Sequence, residues 1–339
     1  AAAVRINGKK CVNICYNMWR DVQEVPCAFN YKKGDSVDIE IRVEKAGGRN
    51  INFKFGWLTP EDQKNTSTVD ELIKKAQKAD YVIYCGGLDH SLDTEGLDKP
   101  HMKLPSEQDM LIPKLIEANE NTVVVLTAGS PVSMPWIDRA RAVIWTWYAG
   151  MEGGHALADI LTGEICPSGK MPFTLPKEYS DTPVARYGEY KAESCKYNED
   201  ILVGYRGFEY DNIEPLFPFG HGISYSEFEY SDLSVKPTEN GAEAAFKVKN
   251  IGTVKAKEIA QLYIGDPVCS VKRPLKELKN FKKVELLPGE TEEIKLSVSN
   301  IDLSFFDEAT DDWKLEKGEF TVFVGSSSKD IRLKASFEL

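Results

Sequence analysis

The apolar residues of this chain change period along its length, and that change limits the folds open to it. From residue 68, VDELIKKAQKA puts Val69, Leu72, Ile73, Ala76 and Ala79 on one helical face, with Asp70 and Glu71 where a helix N-terminus favours acids. Apolar runs and helix-like stretches then alternate: YVIYCGG, SEQDMLIPKLIEANE, TVVVLTAG, a helix near WIDRARA, AVIWTWY and EGGHALADILTG. Such alternation predicts an α/β sandwich with a mostly parallel sheet, since parallel strands need crossovers and the crossover helices cover the sheet. Ligands in that architecture sit outside the carboxyl ends of the strands. The loops Gly86 to Pro105, Gly129 to Pro135 and Tyr148 to Gly154 fall there and are expected to form one surface.

On either side the period is two. Val37, Ile39, Ile41 and Val43 alternate, Gly47-Gly48 offers a turn, and Ile51, Phe53, Phe55 and Trp57 alternate again, which predicts a hairpin. Beyond residue 226, short alternating strands recur between turns such as Glu239-Asn240-Gly241 and Pro288-Gly289, as in an immunoglobulin-like or fibronectin type III-like sandwich. The basic stretch KRPLKELKNFKK, interleaved with Leu275, Leu278 and Phe281, reads as a half-buried strand and its loop. Residues 163–225 are rich in Pro, Gly and aromatics, and predict an ordered segment wrapped over its neighbours, since a solvated tether would be polar and Gly/Ser-rich. The expected division is a β-rich segment at 1–59, the α/β sandwich at 60–200, an aromatic linker at 201–225 and the C-terminal β-sandwich at 226–339.

A formal net charge of −11 opposes phosphate binding, so nucleic acid is excluded as an expected partner. No apolar run approaches the ~20 residues of a membrane span, and AAAVRINGKK lacks the regions of a signal peptide. Of seven cysteines only Cys11 and Cys15 are close in sequence, and the four histidines lack ligand spacing, so no metal site is expected. Cys85 alternates like a strand residue and reads as a small core hydrophobe. Gly86-Gly87 after a strand suggests a phosphate loop only superficially, because neither a dinucleotide fingerprint nor a Walker lysine follows.

The stretches GLDHSLDTEGLDKPHMKLPSEQ, TAGSPVSMPWIDRARAVIWTWYAGMEGGHALADILTGEICPSGKMPFTLP and VGYRGFEYDNIEPLFPFGHGISYSEFEYSDL carry a family signature, continued by VKNIGTVKAKEIAQLYIGDP and RPLKELKNFKKVELLPGET. The chain resembles glycoside hydrolase family 3 in its α/β sandwich and fibronectin-like domains. Residues 1–59 resemble the end of a PA14 module, which some members carry. The resemblance implies a retaining exo-acting β-glycosidase, a β-glucosidase foremost, that cleaves β-linked oligosaccharides or aryl glycosides without a cofactor. A β-xylosidase of the same family and a non-catalytic carbohydrate-binding or scaffold fragment are the alternatives.

The family's nucleophilic aspartate lies in a Ser-Asp-Trp context on a TIM-like barrel, and no such tripeptide occurs here. The expectation is therefore a C-terminal half whose barrel partner lies on the same precursor or a companion chain, and which is inactive alone. Asp181 and Asp232 are the nearest look-alikes, each followed by the wrong residue. The resemblance assigns the general acid/base to Glu95 in DTEGLDKP. Independently, a glutamate between Thr94 and Gly96 on a loop at the ligand edge can project into a cleft. Asp98 and Lys99 follow as substrate-binding or loop-bracing residues. The family pattern has arginine in place of Lys99, and lysine cannot make arginine's planar bidentate contacts. Localisation stays open, with secretion or the periplasm favoured over the cytoplasm.

The remaining candidates read as structural. Gly153-Gly154 with Ala156 and Ala158 suits close helix packing, Glu152 and His155 a helix start, and Trp136, Trp145 and Trp147 core contacts. Tyr205 and Arg206 serve either a barrel interface or a local ion pair. Tyr205, Phe208, Phe217 and Phe219 are expected at the edge of an apolar surface left for the barrel.

Overall fold

The computed structural model describes residues 2–14, 27, 30, 32, 34–43, 68–89, 92–96, 98–191 and 194–339. The Gly47-Gly48 turn, the 51–57 alternation and the connector at 60–67 lie outside them. Contacts divide the chain into two compact units. One holds residues 1–99, 105–127 and 138–144, the other 100–104, 128–137 and 145–339.

In the first unit, β1 (Ala2–Ile6), β2 (Lys9–Ile14) and β3 (Ile39–Val43) form an antiparallel sheet in the order β2-β1-β3. Val4 and Ile6 are buried there with Cys11, Cys27, Val37 and Ile39 against them. Among the described residues Cys27 is a spatial neighbour of Cys11, and its thiol is pushed up in pKa first by a hydrogen bond with the Cys11 thiol.

Helix α1 (Val69–Ala76) opens on a capping box: Thr68 Oγ1 accepts from the Glu71 N–H and the Glu71 carboxylate accepts from the Thr68 N–H. Its apolar face is mostly uncovered, because Ala76 is buried while Val69 and Leu72 are exposed. β4 (Val82–Gly87), α2 (Gln108–Ala118), β5 (Thr122–Thr127) and β6 (Ala142–Trp145) follow, with the strands in the order β4-β5-β6 and β4 parallel to β5. Ile112, Leu115 and Ile116 of α2 and Val124, Val125 and Leu126 of β5 supply buried side chains, each worth ~1.5–3 kcal/mol. Thr122, buried at a strand start, donates to the Leu115 and Asn119 carbonyls, so its hydroxyl ties β5 to the end of α2. Cys85 corrects its expected place in the core. It is exposed, as is Ile83 two residues earlier on the same face of β4. The expected helix near WIDRARA is a single 3-10 turn, Ile137–Arg139.

In the second unit, α3 (Gly153–Thr162) contributes no fully buried residue. Gly154, Ala156 and Ala158 are exposed. α4 (Pro183–Tyr187), the short pair β7 (Glu189–Lys191) and β8 (Ser194–Lys196), and α5 (Tyr205–Tyr210) lead to the C-terminal sandwich. That sandwich contains β9 (Phe228–Thr238), β10 (Gly241–Asn250), β11 (Ala256–Gly265), β12 (Glu277–Leu286), β13 (Thr291–Ser299), α6 (Asn300–Leu303), β14 (Phe305–Asp307), β15 (Asp312–Lys314), β16 (Glu319–Gly325) and β17 (Ile331–Glu338). Two antiparallel sheets, β13-β10-β9 and β12-β11-β16-β17, enclose one core, while β14 and β15 form a separate hairpin.

Alternation decides which face is in. Along β10, Ala242, Ala244, Phe246, Val248 and Asn250 are buried, opposite Ile294, Leu296 and Val298 of β13. Asn250 is a fully buried polar side chain whose groups are used: its amide donates to the Val254 and Leu286 carbonyls, and its oxygen accepts from Ser226 Oγ and the Gly252 N–H. The KELKNFKK run enters the outer strand β12, where Leu278 is partly buried, but Leu275 and Phe281 of the same apolar pattern are exposed.

Residues 163–225 are sewn onto this sandwich. Lys170 forms a buried ion pair with Glu258 at 3.1 Å, and Tyr230 donates to the same carboxylate. The Met171 N–H donates to the His221 carbonyl, Leu175 bridges Phe217, and Gln261 Nε2 donates to the Gly220 carbonyl. Lys276 pairs with Glu209, while Arg273 pairs with both Asp266 and Glu277.

Candidate active site

Strand β4 ends at Gly87, and the chain beyond it carries the predicted acid/base. The Leu88 N–H donates to the Thr127 carbonyl, which extends the β4/β5 pairing by one step. Asp89 then turns the chain, its carbonyl accepting from the N–H groups of Leu92 and Asp93. Glu95 lies in the next turn with Gly96, on the segment that follows β4, and is exposed. A carboxylate so placed can exchange a proton with a ligand that reaches this segment. Asp98 is exposed and Lys99 half-buried. Burial lowers the Lys99 pKa from its ordinary value, and the Asp93 carboxylate partly restores it, so Lys99 belongs electrostatically to the base of this loop. Further along, the Met102 carbonyl accepts from the Ser133 N–H at 2.7 Å, joining the first of the three expected loops to the second.

Gln108, the first residue of α2, was not among the residues that sequence reasoning singled out. Its Oε1 accepts from the Gly87 N–H at 2.8 Å and from the Tyr84 hydroxyl at 3.1 Å, and its Nε2 donates to the Gly87 carbonyl at 2.8 Å. Burial raises the Tyr84 pKa, which keeps that phenol a donor. The glycine pair finds its explanation here. A Cβ at Gly86 would stand 2.3 Å from Gln108 Oε1, and one at Gly87, where φ is +132°, would stand 2.0 Å from the Thr127 carbonyl oxygen. The only advance signal for Gln108 was a polar side chain at a helix start shortly after the DTEGLDKP segment. An open depression lined by Gln77, Tyr81, Asn119 and Asn121 lies at the amino ends of β4 and β5, away from Glu95.

The other candidates are engaged locally. Asp232 sits at φ +58° beside a register shift between β9 and β10 and pairs with Lys247, and Asp181 accepts from the Glu178 N–H. Both nucleophile look-alikes thus serve backbone geometry. Tyr205 OH accepts from the Leu278 N–H, and Arg206 makes a local ion pair with Glu277. Of the four linker aromatics only Phe208 is buried, and Tyr205, Phe217 and Phe219 are partly exposed. Tyr205 stacks on Phe219, and Phe217 stacks on His221. Trp136 is buried, and Trp145 and Trp147 pack on Phe173. Glu152 precedes α3, yet its carboxylate meets His155 instead of capping the backbone.

Comparison with known proteins follows the same layout. The model of the glycosyl hydrolase family 3 C-terminal domain matches residues 9–225, and that of the fibronectin type III-like domain matches residues 258–328. A β-glucosidase of Bacteroides ovatus is 45% identical over 333 residues, covering 90% of this chain and 45% of that protein. The thermostable β-glucosidase B of Acetivibrio thermocellus is 40% identical over 305 residues, covering 88% of this chain and 40% of its own length. Among solved structures, the Kluyveromyces marxianus β-glucosidase in complex with glucose superposes with a TM-score of 0.82 at 29% identity, covering 100% of this chain and 42% of that one. β-Glucosidase 3B of Thermotoga neapolitana in complex with glucose gives 0.74 at 37% identity, covering 81% of this chain and 39% of its own. The chain thus spans less than half the length of these relatives. No helix among the described residues is long and apolar enough to cross a membrane. An α/β domain with a parallel sheet, a fibronectin type III-like sandwich and these matches together establish that the chain belongs to glycosyl hydrolase family 3.

Proposed function

We propose that this chain forms part of a retaining, exo-acting β-glucosidase, with Glu95 as its general acid/base. The observation that carries the reading is an exposed glutamate on the segment that follows β4, inside the DTEGLDKP stretch of a chain from this family. Retaining hydrolysis uses two carboxyl groups ~5 Å apart. In the proposed reaction an aspartate on a barrel domain outside these 339 residues, on the same polypeptide or a companion chain, attacks the anomeric carbon. Glu95 gives its proton to the departing glycosidic oxygen as that bond breaks. The Glu95 carboxylate then takes a proton from water, and the resulting attack frees the sugar with its configuration retained. Lys99, half-buried beside Asp93, braces the loop, and Asp98 stands at its exposed side. The chemistry requires no cofactor, and the substrates are β-linked oligosaccharides or aryl glucosides.

In the complete enzyme, Glu95→Gln is expected to slow cello-oligosaccharide hydrolysis ~10²- to 10⁴-fold while sparing glycosylation by aryl glucosides with good leaving groups. Added azide is expected to accelerate turnover of the glycosyl-enzyme, because it attacks without base assistance. The isolated 339-residue chain, assayed beside it, is expected to release no p-nitrophenol above background. Near-normal turnover of both substrate classes by the variant would show Glu95 to be an ordinary loop residue.

A further inference from the structure

The segment between Gly87 and Gln108 carries Glu95, and its two ends are fastened to each other by one side chain. The Gln108 amide accepts from the Gly87 N–H and donates to the Gly87 carbonyl, each at 2.8 Å. It pairs with the outer edge of β4 much as a neighbouring strand would, while Thr127 of β5 pairs with the inner edge. The Tyr84 hydroxyl donates to the same Oε1 and fixes the rotation of the amide. Gly86 has no Cβ where the amide sits.

The junction on the α2 side is strained. Ser106 and Glu107 are consecutive non-glycine residues at φ 53° and 58°, and Glu107 precedes the helix without a side-chain cap. Two adjacent L-residues hold the left-handed region only where surrounding contacts determine it. The Gln108 clamp is such a contact, and it acts immediately after them.

We infer that Gln108 is a positioning residue for the acid/base. By closing the 88–107 segment on Gly87, it sets the direction in which that segment leaves β4 and returns to α2, and hence where Glu95 is held. The inference rests on the assignment of Glu95 made above. Gln108 touches no reacting atom in this scheme. Its loss should therefore act through proton transfer, which is sensitive to placement, with an ångström of error costing on the order of 10²-fold.

The test uses the complete enzyme and two substrates, cellobiose and 2,4-dinitrophenyl β-glucoside, with Glu95→Gln as the reference. Gln108→Ala is expected to lower kcat/KM for cellobiose by ~10- to 100-fold and that for the activated glucoside by less than ~3-fold. Gly86→Ala, whose Cβ would displace the amide, should reproduce this selectivity if Gln108→Ala fails to fold. Gln108→Glu adds a second readout. Its carboxylate keeps the acceptor for the Gly87 N–H but loses the donor to the Gly87 carbonyl, so cellobiose activity should recover relative to wild type at pH values where that carboxyl is protonated. If Glu95→Gln is selective between the substrates and the Gln108 and Gly86 variants lower both equally, or lower only thermal stability, the positioning role is overturned. If Glu95→Gln itself shows no selectivity, the acid/base assignment fails first and this inference with it.

Discussion

Ser270 binds the Glu316 carboxylate twice, through its N–H at 2.9 Å and its hydroxyl at 2.6 Å, and Lys314 stands 3.1 Å away. These donors hold Glu316 at a pKa of about 2, against an ordinary 4.5. A folded-state pKa below the unfolded one stabilises the fold above the unfolded value, and that contribution is lost as pH falls through the folded value. Between about pH 4.5 and 2 this pair should therefore make the fold acid-sensitive. Ser270→Ala is expected to flatten the decline of the urea midpoint over that interval, and identical slopes in wild type and variant would assign the decline elsewhere. The DTEGLDKP segment was legible at this scale because its residues form a recognisable string. Gln108 was not, because its meaning lies in a contact 21 positions away.

Among the elements, α1 depends heavily on local chemistry. With Val69 and Leu72 exposed and Ala76 alone buried, its capping box carries an unusual share of its stability. Thr68→Ala is expected to cost ~1 kcal/mol, seen as faster amide exchange in the first turn of α1. Unchanged exchange would mean that packing, not the cap, holds this end. The acids of that turn were readable, but the reciprocal bond to Thr68 was not. The strands of the sandwich were legible because a period of two and a buried face fix them together, as β10 shows. WIDRARA misled for a physical reason. Pro135 closes one side and β6 claims Ala142 on the other, leaving room only for the turn at Ile137–Arg139 beneath the buried Trp136.

At the scale of the molecule, the aromatic composition of residues 163–225 pointed to a segment wrapped over its neighbours, but not to which groups would join it to the sandwich that follows. The pairing depends on groups brought close from distant positions, such as Lys170 with Glu258 and Ser328 with Phe219. Glu258 is almost fully buried, and Lys170 is the cation that neutralises it. A fragment cut immediately before β9 would retain that carboxylate and lose its counter-charge, a change that costs ~3–5 kcal/mol when one member of a buried pair is removed. Urea unfolding of fragments beginning at residues 163 and 226 should reveal that gap, and equal midpoints would show the ion pair to be dispensable. Expression boundaries for the C-terminal sandwich are therefore better drawn before Lys170 than at the first strand, so that Glu258 keeps its partner.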